Sequence, residues 1–323
     1  MLRYTVRRLL GMIPILFLVS IICFVIIKIQ PGEFGSQYLQ NPRVSPETVE
    51  LLRSQLGLDK PAHIQYLTWV KGIVTRGDFG YSFTYRRPVT ALIWERLGWT
   101  LVISISTLVF TWLMAIPIGI YSATHKYSAM DYVITTLGFI GISIPDFFLA
   151  LALMYVALKC GSQSVGGLFS TKYVGAPWTW AKFVDLLKHI WLPLISIGLA
   201  GTAGIIRQMR GNLLDILGEQ YVQTARAKGL EERVVIYKHA VRNAINPLIT
   251  LMGMQLPTLI SGTIITSIVL NLPTMGPFFY DALLNHDQYL VMTFLLFSAL
   301  MMLVGNLLAD LCLAWADPRI RFD

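Results

Sequence analysis

Two carboxylates stand where a carboxylate is costly. Asp146 and Asp310 lie inside long runs of apolar residues, and a charge in such a run normally faces a polar cavity, a partner or a transport pathway. A pair of acids can do acid–base work when one is ionised and the other protonated. No second motif accompanies this pair, so an intramembrane enzyme is set aside. Cys23, Cys160 and Cys312 show neither zinc-ligand spacing nor a disulfide framework. The pattern G-x-x-x-x-G-K-[ST] is absent, so this chain cannot bind and split ATP in the P-loop manner. What remains is "EQYVQTARAKGLEERVVIYKHAVRNAINPLI", Glu219 to Ile249, a charged, helix-prone insert between apolar runs.

The elements that must position these residues are set by composition. Of 323 residues, 55% are hydrophobic and 14% charged, against about 25% charged in globular proteins. The mean hydropathy is +0.60, which marks an integral membrane protein. Six runs are long enough, or nearly so, for the roughly 20 helical residues that cross a bilayer: Leu9–Ile27, Leu97–Thr124, Tyr132–Leu158, Ile190–Ile206, Ile245–Leu270 and Gln288–Ala316. The fourth is the shortest. The runs are continuous and do not alternate, so they read as helices and not barrel strands. The expected fold is all-α, a polytopic membrane protein with six transmembrane helices. Residues 1–29 hold the first helix, 30–96 an extracytoplasmic loop, 97–316 a five-helix core with the insert at 207–244, and 317–323 a tail. Arg3, Arg7 and Arg8 before the first run also fit a signal peptide, but that run is long and "VIIKIQPGEF" has no small-x-small cleavage site.

The net charge of +8 is first used to orient the spans. With both termini inside, the two sides hold 13 Lys/Arg each. The positive-inside rule applies to short loops, and the first outer loop exceeds 60 residues. Discounting it leaves 13 inside against 4 outside, so both termini are placed in the cytoplasm. No nucleic-acid partner is implied.

The long outer loop is organised. Ser45-Pro46 opens one helix, with Val49, Leu52 and Leu56 on one face and Gly57 as its stop. Ile64, Leu67, Val70 and Val74 mark a second amphipathic piece, followed by turn-rich "RGDFGYSF" and "RRPV". The next outer loop, Lys159–His189, reads as flexible through "GSQSVGGLFS", with Trp residues suited to the membrane interface. In the insert, residues 219–228 predict a short helix that Gly229 ends in the left-handed conformation. Glu231 and Glu232 then open a second helix, with Val234, Val241 and Ile245 continuing its apolar face. A plain connector needs only a few residues, so a contact element is expected. In the third run, Pro145 loosens the helix beside Asp146, which a straight helix would put about 20 Å from Asp131. Asp146 then reads either as a pathway residue or as a structural hydrogen bond; Asp310, one turn after Asn306, reads as a contact between spans.

"YVQTARAKGL" followed by "HAVRNAINPLIT" resembles the cytoplasmic signature loop of the permease subunits of ABC importers, in the oligopeptide/dipeptide branch. The general form is Glu-Ala-Ala, three residues, Gly, nine residues, Ile-x-Leu-Pro. Anchored on Gly229, this chain has Gln223-Thr224-Ala225 and His239-Ala240-Val241-Arg242, nearer to the branch's own "TARAKG" and "HALRNAL". Similar likenesses cover "YTVRRLLGMIPILFLVSIICFVI", "LRSQLGLDKPAHIQYLTWVKGIVTRGDFGYSF", "ISIPDFFLALAL" and "NLLADLCLAWADPRIRF". One departure is "NLPTMGPFF", Asn271–Phe279, where many members carry a "WPGLGR"-like turn.

The resemblance implies a multi-pass protein of a bacterial-type inner membrane. Its partners are a second homologous permease subunit, two cytoplasmic ATPase subunits and an extracytoplasmic solute-binding protein. The chain needs no cofactor, because ATP is bound by the partner subunits. The insert becomes the coupling helix, with Thr224, Ala225, Arg226, Ala227, Lys228, Gly229, Leu230 and Glu232 as the ATPase-coupling loop and Asp146 as a candidate pathway residue. Arg226, Lys228 and Glu232 would supply pairs across the interface. Peptides are the expected cargo; relatives of the branch also carry oligosaccharides or nickel complexes. A self-sufficient channel or secondary transporter would show internal repeats, and none is evident.

Overall fold

The computed structural model describes residues 2–29, 47, 54, 59–82, 84–161, 165–252 and 263–316. These residues are almost entirely helical, in keeping with an all-α chain. The chain divides into two compact units: 1–5, 101–273 and 302–323 form the first, 6–100 and 274–301 the second. Helix α1 is Leu2–Ile29, α2 Ala62–Arg76, α3 Val89–Thr124, α4 Ala129–Ser143 and α5 Asp146–Lys159. Helix α6 is Trp180–Leu217 and α7 Gln220–Ala227. A composite helix, α8, opens at Glu232–Val234, runs as a π-helix over Val235–Val241 and resumes as α at Arg242–Ala244; after Ile245 it continues through 246–252. Then come α9 Ile264–Val269, α10 Met275–Leu284 and α11 Gln288–Ala316. Strands β1 Tyr81–Ser82 and β2 Arg87–Pro88 form a small antiparallel hairpin, pairing Tyr81 with Pro88 and Ser82 with Arg87.

Among the described residues, α1, α3, α6 and α11 are each long and apolar enough to cross a membrane, and α4 with α5 adds a fifth if the bent pair is one span. The fifth apolar run, 245–270, includes 253–262, which lie outside the described residues, as do most of the first outer-loop helix and the tail 317–323.

The third run is not the continuous helix expected. Helices α4 and α5 meet at 103°. The Pro145 ring bars the preceding residue from helical geometry, and Ile144 is extended at φ −86°, ψ 122°. Pro145 has no N–H to continue the ladder. It therefore starts a new helix and does more than loosen the old one. The straight-helix distance from Asp131 to Asp146 does not apply across this bend. The fourth run is longer than expected, because α6 spans 38 residues around its apolar centre.

In the first unit, glycine lets α3 and α6 approach closely. A Cβ at Gly119 would lie 2.8 Å from Met209 Cβ and 3.1 Å from the Ile206 carbonyl oxygen. Close approach through small residues is how helices associate in lipid, where burial of apolar surface gives little drive. The loop before α6 is tied down where it is described, against the expectation of flexibility. The Ser170 N–H and hydroxyl both donate to Asp185, at 2.8 and 2.6 Å, and the Gly167 N–H donates to the Leu270 carbonyl at 2.7 Å. Asp310 accepts from the Tyr4 hydroxyl at 2.6 Å, so it does bridge two helices.

In the second unit, α2 forms where the apolar spacing predicts, and Gly77 at φ 64° ends it. Its buried face is not the predicted one. Gln65, Trp69 and Gly72 turn inward, while Ile64, Leu67 and Val74 are exposed. The rings decide the face: Trp69 packs with Phe24 and Met292, its indole N–H donates to the Phe79 carbonyl at 3.0 Å, and the Tyr66 hydroxyl meets Ser20 Oγ at 2.7 Å. The hairpin is held from 281–287. Asp287, almost fully buried, accepts from Ser82 Oγ at 2.6 Å and the Thr84 N–H at 3.2 Å. Tyr85 donates to Asp281 at 2.6 Å, and burial together with that carboxylate pushes its phenol up from the ordinary value.

Two outcomes are expected. Gly→Ala at an open helical position gains about 1 kcal/mol of propensity, and Gly204 is such a position. At Gly119 the overpacking penalty, about 1–3 kcal/mol, exceeds that gain. Thermal unfolding in detergent should show a lower midpoint for Gly119→Ala than for wild type, and none for Gly204→Ala. Burial raises the Asp287 carboxyl above its ordinary 3.8, so the folded state holds the proton more tightly than the unfolded state. That contribution is full below the ordinary value and lost as pH rises through the raised one. The slope of midpoint against pH should flatten in Asp287→Asn.

Candidate functional site: the polar helical insert

The insert is built on the end of α6. Leu213 on the last turns of α6 is fully buried and shares an apolar cluster with Val222 and Ala225 of α7 and with Val235, Ala240, Ala244 and Leu248 of α8. Helix α7 has only eight residues, too few to be stable alone, so this cluster is what holds it. Its other face, with Tyr221, Gln223, Thr224 and Ala227, is exposed.

Gly229 ends α7 as the sequence predicts, at φ 74°. The Gly229 N–H donates to the Arg226 carbonyl at 2.9 Å and the Leu230 N–H to the Ala225 carbonyl at 3.4 Å. This pair of bonds is the Schellman closure, which satisfies the last free carbonyls of a helix. Nothing lies within 4 Å of where a Cβ would sit, so glycine is required by the backbone angle and not by crowding.

A side-chain clasp spans the same turn. Arg226 grips Glu232 with Nε at 3.0 Å from Oε2 and Nη2 at 2.6 Å from Oε1. The guanidinium holds the Glu232 carboxyl below its ordinary value. Two of the three residues expected to reach across an interface, Arg226 and Glu232, are thus paired with each other, and Lys228 faces outward. Two further bonds brace the insert: Asn243 Nδ2 donates to the Tyr221 hydroxyl at 2.8 Å, tying α8 to α7, and Asn212 Nδ2 of α6 donates to the Ala244 carbonyl at 3.1 Å, fixing the insert to α6. Beside the clasp lies an open cleft of about 830 Å³, with Pro117, Tyr121, His125, Leu217, Arg226 and Tyr237 among its walls.

The other residues of the predicted loop divide by exposure. Thr224, Ala227, Lys228, Gly229, Leu230 and Glu232 face outward, Arg226 is half-buried and Ala225 is turned into the core. The apolar face of α8 starts at Val235, with Val234 only half-buried. The π-helix explains the shift: its i→i+5 bonding adds a residue to the turn, so Val235 and Ala240, five apart, share the buried face. Asp146 is elsewhere in the first unit. It is half-buried as the first residue of α5, where a carboxylate suits the helix dipole, and it accepts the Phe147 N–H at 3.1 Å.

One cluster near the insert was not anticipated. Asp131 of α4 is 2% exposed. Its carboxylate accepts from Arg210 of α6 through Nε at 2.9 Å and Nη2 at 2.8 Å, from the Tyr127 N–H at 3.0 Å and from the Ser122 hydroxyl of α3. The available signal was Ser128-x-x-Asp131, a capping-box pattern; Ser128 Oγ does accept the Asp131 N–H, at 3.2 Å. No local pattern points to Arg210, 79 residues away.

Residues 115–322 match the family described as binding-protein-dependent transport system inner membrane component, and residues 1–106 match the N-terminal family of the same membrane components. The chain is similar to the oligopeptide transport system permease protein AppB of Bacillus subtilis (strain 168), with 36% identity over 321 residues and 99% of each chain covered. It is 35% identical to a putative peptide permease protein of Brucella suis biovar 1, again over 99% of each chain. The glutathione transport system permease protein GsiC of Escherichia coli (strain K12) is 34% identical over the full length of both.

The Arg226–Glu232 clasp is exposed, and such pairs contribute about 0.2–1 kcal/mol. Glu232→Gln is therefore expected to leave the global unfolding midpoint nearly unchanged while speeding amide exchange at Gly229 and Leu230, read by mass spectrometry of the 220–235 segment. Because the folded carboxyl is lowered, the clasp persists above the ordinary carboxylate range and is lost as pH falls through the lower folded value.

Proposed function

Because the chain belongs to the family of binding-protein-dependent transport system inner membrane components, we propose that it forms half of an ATP-driven import pathway for peptides. The peptide assignment is supported by full-length similarity to permeases named for oligopeptides and for glutathione. The other half of the pathway is a second permease subunit, identical or homologous. An extracytoplasmic solute-binding protein delivers the cargo, and two ATPase subunits bind and hydrolyse the ATP. The termini and the insert face the cytoplasm of a bacterial-type cell, as the short-loop charge bias supports.

The observation that carries the coupling role is the construction of the insert. A connector between spans does not need a Schellman closure, a bidentate clasp and a buried underside. Those features hold α7 rigid while its outer face stays polar and open, which is what a force-bearing contact requires. Thr224, Ala227, Lys228 and Leu230 are the residues this face offers to an ATPase. Arg226, Glu232 and Gly229 shape it, and Ala225 seats it. Asp146 is assigned a place beside the pathway, at the break where α5 begins.

The test is association. Proline cannot adopt the φ of Gly229 and removes an N–H that closes the turn. Gly229→Pro, or deletion of 223–229, is expected to insert in the membrane normally. Co-purification with the ATPase subunits should fall at least about tenfold, as expected when an interface anchor worth about 2 kcal/mol is lost. Unchanged association would refute the coupling role. Solute flux through the chain reconstituted alone would refute the importer reading.

A further inference from the structure

We propose that Asp131 and Arg210 are positioning residues that carry movement of the insert into α4, so that the first unit responds to ATP as one lever. The proposal rests on the permease reading above.

The chain of contacts is continuous. Helix α7 sits on Leu213, and α6 runs without a break from there to Arg210. Asn212, between them, fixes α6 to the carbonyl of Ala244 in α8. Arg210 then grips Asp131 with two parallel bonds. A load on α7 or on the start of α8 therefore reaches the end of α4 through a two-point contact. A two-point grip resists rotation as well as separation, which a single bond or an apolar contact does not. One residue before Arg210, Met209 packs against the open side of Gly119, so α3 is engaged at the same level.

Helix α4 is suited to follow. It is a rod of 15 residues that packs along α6, is gripped at one end by Arg210 and is ended at the other by the Ile144–Pro145 break. Motion at Asp131 would swing α4 about that break, beside Asp146. Capping alone does not require Arg210, because Ser128 already caps α4 and the Tyr127 N–H and Ser122 hydroxyl already reach the carboxylate. A buried ion pair is also weak evidence of a stability role, since apolar side chains of similar volume often hold as well. What the arginine adds is directional attachment to α6.

The test uses the complex with its partner permease, ATPase subunits and binding protein, in a cysteine-free background. Spin labels are placed at Tyr132→Cys on α4 and Gln208→Cys on α6, both exposed positions. Distances are measured without nucleotide and after trapping with ATP and vanadate. In wild type the distance distribution should be the same in both states. Arg210→Lys keeps the charge but loses the two-point grip, and Asp131→Glu displaces it. Each variant should assemble in wild-type yield with basal ATPase activity intact. Each should show a distribution that shifts or broadens with nucleotide, and binding-protein stimulation of ATPase should drop about tenfold, within the usual range for coupling between sites. The proposal is overturned if the wild-type distance changes with nucleotide, or if both variants match wild type in both readouts. Failure of both variants to assemble would make the pair a folding contact and also overturn it. A wild-type chain that binds no ATPase subunit would overturn the permease reading itself, a different result from a working complex with an indifferent Arg210→Lys.

Discussion

A buried carboxylate persists only where donors surround it, and Asp131 has four of them from three segments of chain. That requirement organises the first unit. To supply the donors, α6 must continue past its apolar stretch as far as Arg210, and α3 must bring Ser122 to the same level. The turn from 125 to 128 must aim the Tyr127 N–H inward, and Tyr127 takes a positive φ of 66° to do so. The glycine contact at Gly119 allows α3 and α6 to come close enough for this. Burial of a single charge thus draws groups from α3, the turn after it and α6 together at the start of α4.

The insert follows from the same geometry. Helix α7 is too short to persist alone, and it is placed by Leu213, three residues after Arg210. Its far end is closed twice, by backbone bonds around Gly229 and by the Arg226–Glu232 clasp. Neither closure is energetically large, since the clasp is exposed and the Schellman bonds mainly satisfy carbonyls that water would otherwise satisfy. Their effect is on rigidity. That rigidity is what the proposed coupling role would require of the insert.

The second unit solves a different problem with similar means. A two-residue-per-strand hairpin has too few ladder bonds to stand alone. Asp287 reaches Ser82 and Thr84, and Asp281 reaches Tyr85, so the hairpin is fastened by side chains of the 281–287 segment. Helix α2 is likewise seated by Trp69 and Tyr66 and not by its aliphatic residues. An aromatic ring buries more surface than an isoleucine and needs a partner for its N–H or O–H, so it governs which face turns inward.

By itself the sequence determined what depends on neighbours along the chain. Hydropathy over some twenty residues marks a bilayer-crossing segment, because each backbone group in lipid must bond within its own helix. The charged stretch from Glu219 to Ile249 stood out for the same reason. Gly229 was legible as a helix end, because a left-handed φ is a property of one residue. The motif likeness around "TARAKG" was legible for being contiguous. Only the tertiary structure decided what depends on residues far apart. It paired Asp131 with Arg210, turned Ala225 inward, joined Arg226 to Glu232 and exposed Ile64, Leu67 and Val74. The π-helical register of α8 belongs here too, since it moves the buried face from Val234 to Val235 to meet a core built by other helices. At Ile144–Pro145 the two sources meet: proline made a break readable, but the 103° angle is set by what α4 and α5 each pack against, since both pack on α6.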